Sequence, residues 1–194
     1  MGDAATGLNE QEFIVLNAVH LKRMADDAQL AALTGLATET FVPLLTDCAN
    51  RELVMSMDSG HMLLPAGTEA VRAHYDRIYG ALRGDPDIDG WYARFETLNT
   101  RFIKLLTNWQ ENADDAALFA ALEVVEQLCT ALDPLLTTIP RYADYQRRFL
   151  AATDAIDDGD TDLLCNPRRD SAHNIWFEFH EDILSVLGRP RETT

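Results

Sequence analysis

The segment LAALTGLATETFVPLLTDCANRELVMSMDSGHMLLPAGTEAV, Leu30–Val71, decides how the first part of this chain is read. Thr34-Gly35 is a turn signal between two apolar-periodic runs, and Asp58-Ser59-Gly60 separates two short runs rich in Val, Leu and Met. The first pattern predicts a helix around Asp27–Leu33 and another over Thr38–Asn50. The second predicts a hairpin with strands Leu53–Met57 and His61–Leu64. Pro65-Ala66-Gly67 then closes the unit. Upstream, Phe13, Leu16, Val19 and Leu21 recur at helical spacing, so a first helix is expected from Glu10 to Met24 with Asn9 as its N-cap. Three helices and a two-stranded wing make a winged helix-turn-helix.

A further helix carries Ala70, Val71, His74, Tyr75, Ile78 and Leu82 on one face and ends near Gly84, as a linker or a dimerisation element. Gly84-Asp85-Pro86-Asp87 combines a helix terminator, a proline and acids, and divides the chain into domains 1–84 and 85–194. Beyond it, Trp91 to Trp109 and Leu118 to Leu132 have the apolar period of two amphipathic helices. Tyr145–Asp157 and Ser171–Leu187 follow as a third and fourth, which predicts an antiparallel bundle. The fold class expected is therefore mainly α, a winged helix-turn-helix followed by a helical domain. The tail after Gly188 is expected to fray.

The 194 residues carry 16 Lys+Arg against 32 Asp+Glu, a formal charge of -16, which repels polyanions. Met1–Leu8 has no basic stretch followed by an apolar one, and no run approaches the roughly 18 apolar residues of a membrane span, so the chain reads as cytoplasmic and not membrane-bound. Cys48, Cys129 and Cys165 have no CxxC spacing and read as reduced packing residues.

The stretches LAALTGLATETFVPLL, RELV and LLPAGTEAV resemble the winged helix of MarR-type bacterial transcriptional regulators. That resemblance covers about a fifth of the chain. It implies a third helix in the DNA major groove, a wing on the adjacent backbone and a homodimer reading two half-sites. LNTRFIKLLTNWQ and DSAHNIWFEFHEDILSVLG are similar to a poorly characterised actinobacterial helical domain that follows winged helices and sometimes accompanies phosphoenolpyruvate-utilising proteins.

With Phe41, Leu44, Leu45 and Cys48 turned inward, the DNA-reading candidates are Glu39, Thr40, Pro43, Thr46, Asn50 and Arg51, joined by Ser59 and His61 of the wing. From Asp27 to Leu64 one arginine stands against five acids, a net of -4. Phosphate contact needs several cations, so an acidic adaptor docking a basic protein competes with the DNA-reading regulator. Pro43 implies either that its helix starts near Thr40 or that the helix bends.

In the second domain the ligand-binding candidates are Trp109, Arg168, Arg169, His173, Trp176 and His180. Two arginines before the N-cap at Asp170 or Ser171 can hold a carboxylate or phosphate of a small-molecule effector, or pair with surface acids. Trp91, Trp109, Tyr142, Tyr145 and Trp176 either line an effector pocket or form core. His173, Trp176, Phe177, His180, Leu184 and Leu187 share one helix face, with Glu178 and Asp182 on a solvated opposite edge. His173 and His180 are roughly 10 Å apart along such a helix, too far for one zinc. With no phosphate loop, nucleophile elbow or HExxH motif, neither enzyme activity nor a metal or cofactor is expected.

Overall fold

A computed structural model describes residues 7–190. The expectations for Met1–Leu8 and for the tail after Gly188 concern segments that lie largely outside these residues. The described chain is mainly helical, with a single two-stranded antiparallel sheet. It separates into two compact units: the described residues of Met1–Arg83 and Glu181–Thr194, and Gly84–His180. The sequence division near Gly84 assigned the last segment, 181–194, to the second part.

The first unit opens with α1 (Glu10–Lys22), which starts at Asn9 because Asn9 and Glu12 exchange side-chain to backbone hydrogen bonds of 2.9 and 2.8 Å. After a bend at Arg23 and Met24, Asp26 and Gln29 repeat the same device and start α2 (Asp27–Thr34), which ends on Gly35 in the left-handed conformation. Next come α3 (Thr38–Asn50), β1 (Val54–Met57), β2 (Gly60–Leu63) and α4 (Pro65–Tyr79), which continues into a short 3-10 turn at Gly80–Leu82. The strands pair Val54 with Leu63, Met55 with Met62, Ser56 with His61 and Met57 with Gly60.

Helix α1 packs against α2, α3, α4 and β2, and so forms the spine of this unit. Its Phe13, Leu16 and Val19 are buried together with Leu30, Phe41, Leu45, Val71 and Tyr75. Phe13 stacks on His74 at 3.9 Å and meets Tyr75 edge-on, while the Tyr75 hydroxyl donates to Asn17 Oδ1 at 2.9 Å.

One sequence expectation is corrected here. Pro65-Ala66-Gly67 does not close the unit; it begins α4, where proline at the first helical position loses no hydrogen bond. Helix α3 spans Thr38–Asn50, the range expected from the sequence, and of the two alternatives for Pro43 the later start near Thr40 is not the one taken, since Pro43 sits inside the helix. The carbonyl of Glu39 therefore lacks the helical N–H that Pro43 would otherwise supply, and both residues are exposed, so water can reach it.

The second unit consists of α5 (Pro86–Asn112), α6 (Asp115–Leu132), α7 (Tyr142–Asp157) and the first nine residues of α8 (Ala172–Leu187). Asp85 caps α5, whose first residue is Pro86, and Asp114 caps α6. Helix α6 packs on both α5 and α7. Trp176 of α8 stacks on Phe102 at 4.3 Å and on Phe95 at 5.6 Å, and Phe179 meets Trp91, Phe95, Tyr142 and Tyr145 edge-on. Offset and edge contacts of this kind suit the aromatic quadrupole. Trp91, Tyr142, Tyr145 and Trp176 thus pack against other rings of this core.

All three cysteines are free thiols. Burial pushes the thiols of Cys48 and Cys129 up to about 11, and nearby acids add to the effect. A thiol reagent should therefore react slowly with Cys48 and Cys129 in the native protein, faster with the more accessible Cys165, and quickly with all three in denaturant. Fast reaction of three native thiols is the contrary result.

Candidate recognition surface

The outward side of α3 is built as the sequence wheel predicts. Phe41, Leu45 and Cys48 are buried, whereas Glu39, Thr40, Pro43, Thr46 and Asn50 are exposed. Thr46 and Asn50 are one turn apart, and Thr46 Oγ1 donates back to Val42 O at 2.9 Å. Ser59 is exposed in the hairpin turn.

Arg51 and His61 both have side-chain partners within the chain. The Arg51 guanidinium donates to Glu12 Oε1 at 2.5 Å and reaches Asp47 Oδ2 at 3.4 Å. Burial opposes the charge on Arg51, but Glu12 and Asp47 outweigh it and raise its pKa above the ordinary value. Glu12 is itself buried and uses its other oxygen to cap α1, so its side chain is fixed from both sides. His61 places Nε2 2.7 Å from Asp27 Oδ1 and Nδ1 2.8 Å from Ser56 Oγ. Its backbone exchanges both hydrogen bonds with Ala25. His61 thus ties the hairpin to the start of α2.

The ligand candidates of the second unit have separate partners. Arg169 binds Asp160 at 2.8 Å, and Arg168 is exposed on the loop before α8. Ser171, not Asp170, precedes α8, and its hydroxyl accepts from the Asn174 N–H at 3.4 Å. Trp176 is buried, with its indole N–H donating to Asn99 Oδ1 at 2.9 Å. Trp109 lies two turns beyond Phe102 on α5, roughly 10 Å along the axis. His180 sits 3.2 Å from the Tyr92 hydroxyl and 3.1 Å from Glu96. Among the described residues no group of three or more His, Cys, Asp or Glu could hold a metal ion.

The largest departure from the sequence reading concerns Glu178 and Asp182. Both are buried, with exposures of 2% and 0%, where a solvated edge was expected. Phe177, assigned to the apolar face, is the exposed one at 36%. A wheel drawn for a one-sided helix fails because α8 is covered on nearly every side. Glu178 is matched by a cation that the sequence did not single out. Arg148 of α7, only 5% exposed, donates to Glu178 Oε2 at 2.7 Å and forks onto Asp170 at 2.5 and 2.9 Å. Burial works against the Arg148 charge, yet its bonds to Asp170 and the charge of Glu178 raise its pKa above the ordinary arginine value.

Burial also lowers the pKa of His173, and it lowers that of His20 against the opposing pull of Glu181 and Asp182. An unfolded histidine binds its proton near pH 6.5, more readily than these two do when folded. Stability is therefore complete above that value and falls as pH drops through it. The urea midpoint should decline between about pH 7.5 and about pH 5.5, and His173→Gln should shrink the decline. An unchanged pH dependence in the variant would refute the assignment.

No family model, curated protein or solved structure matches this chain. Among the described residues no single helix is long and apolar enough to cross a membrane.

Proposed function

We propose that the chain is a regulatory adaptor in which residues 7–83 form a MarR-like winged helix-turn-helix that meets a protein instead of reading DNA, joined to an antiparallel helical bundle. The capture of Arg51 by Glu12 and Asp47 carries this reading. Arg51 is the only Lys or Arg between Asp27 and Leu64, the stretch that contains the reading helix and wing. Non-specific DNA affinity rises from several phosphate-paired cations, and a surface without them in a chain of charge -16 gains little from a polyanion. Basic proteins are attracted by the same field.

A second reading, direct control of transcription, is favoured by the exposed pair Thr46 and Asn50, since an asparagine can recognise adenine in the major groove. One measurement separates the two. Labelled DNA from the protein's own promoter and a random fragment are titrated with the full chain at low and physiological salt. The adaptor predicts no difference between the fragments at any salt. Tighter binding of the promoter fragment would overturn it in favour of transcription control.

A further inference from the structure

Met24, Met55, Met57 and Met62, four of the chain's five methionines, lie within or beside the hairpin. Met55 and Met62 are direct cross-strand partners, and Met57 is two residues from Met55, so these three share one face of the hairpin. Met24 joins them through the bridge on the other edge of β2. Ala25 and His61 exchange both backbone hydrogen bonds, at 3.1 and 2.8 Å, so the antiparallel register sets Met24 opposite Met62. The exposures separate the two faces away from the turn, whereas Ser56, on the Val54 face, is exposed as well. Ala25 and Val54 on the inner face are 0% and 2% exposed, while Met24, Met55, Met57 and Met62 are 45%, 38%, 40% and 37% exposed.

Three thioethers therefore stand abreast across the two strands and the segment bridged to them at Ala25. At about 4.8 Å per strand the row is roughly 10 Å wide, with Met57 about 7 Å further along β1. That plate matches the width of one α-helix, about 10 Å. Methionine side chains are flexible and polarisable, which lets such a plate fit varied apolar partners. Glu52, Asp58 and Asp26 are exposed in the chain beside it, against Arg23.

We propose that the Met24–Met55–Met57–Met62 face docks an amphipathic helix of a basic protein, apolar side on the methionines and lysines or arginines toward the acidic rim. The inference rests on the adaptor reading above and supplies its site. Charge decides the occupant. A second copy would bring another -16, and nucleic acid would face thioethers and acids, whereas a cationic helix gains from both the plate and the field.

The test uses the full chain labelled with methyl-13C methionine. It is titrated with a synthetic amphipathic helix of leucine and lysine, with a leucine and glutamate helix as control. The Met24, Met55, Met57 and Met62 methyl signals should shift with the cationic helix only. M55S/M62S should weaken binding by about tenfold or more, as expected for losing two apolar contacts. M24S, which changes no hairpin residue, should weaken it in the same direction and guards against loss of the hairpin fold. Methyl signals that stay still, equal binding of the variants, or equal binding of the acidic helix each overturn the proposal. So do methyl shifts that depend on protein concentration without peptide, which would mark a second copy. Cationic-helix binding with unmoved methyls removes this site and leaves the adaptor standing, whereas promoter recognition removes the adaptor.

Discussion

Arg148→Ala should destabilise the second unit by about 3–5 kcal/mol, the range for removing one partner of a buried ion pair. The Arg148 and Glu178 side chains are 4% and 3% exposed, so the variant leaves a carboxylate inside the protein without its guanidinium. Asp170, at 41% exposure, can turn to water and adds little to the loss. Thermal unfolding of the full chain should fall by about 10 °C or more. The double variant R148M/E178M removes both charges and should recover much of the stability, because the penalty comes from the stranded charge. A melting curve for R148A that overlies that of the parent protein would show that Glu178 does not depend on this cation.

Gly67→Ala is expected to have the next largest effect, at the upper end of overpacking costs, about 3 kcal/mol. A Cβ on residue 67 would sit 1.9 Å from the carbonyl oxygen of Leu53 and 2.8 Å from its carbon. Both are backbone atoms, and the same carbonyl accepts the N–H of Leu64 at 3.0 Å, so there is no side chain to swing aside. Either α4 or the entry to β1 must move. Gly90→Ala provides the comparison: its nearest neighbour would be the end of Arg94 at 3.8 Å, in the first turns of α5, and helix propensity predicts a gain of roughly 0.5–1 kcal/mol. Equal stability of G67A and G90A would refute the close approach of α4 to residue 53.

The helices, the hairpin and the turn at Gly35 were legible because each rests on a local signal: period, cap or turn residue. The Asp26–Gln29 capping box carried such a signal as well and places the start of α2. What the sequence could not yield depends on residues distant in the chain. Arg51 reads as a surface cation until Glu12, 39 positions away, is seen beside it. Arg148 stood unremarked among the residues of α7 because its carboxylates lie 22 and 30 positions further on. The wheel for α8 placed Glu178 and Asp182 in water because it assumed that one side of the helix is free. Burial on nearly every side is a tertiary property, and no helical period in 172–187 encodes it.

Glu12 joins two events that are usually separate. One carboxylate oxygen begins α1 and the other holds Arg51, so nucleation of the first helix and the charge shown by the third are set by one side chain. When the first turn of α1 frays, Arg51, which already lies at the surface, loses Glu12 and keeps Asp47 as its partner. The partly unfolded chain then presents a different electrostatic face from the folded one. Any anion that captures this arginine competes directly with the first turn of the spine helix.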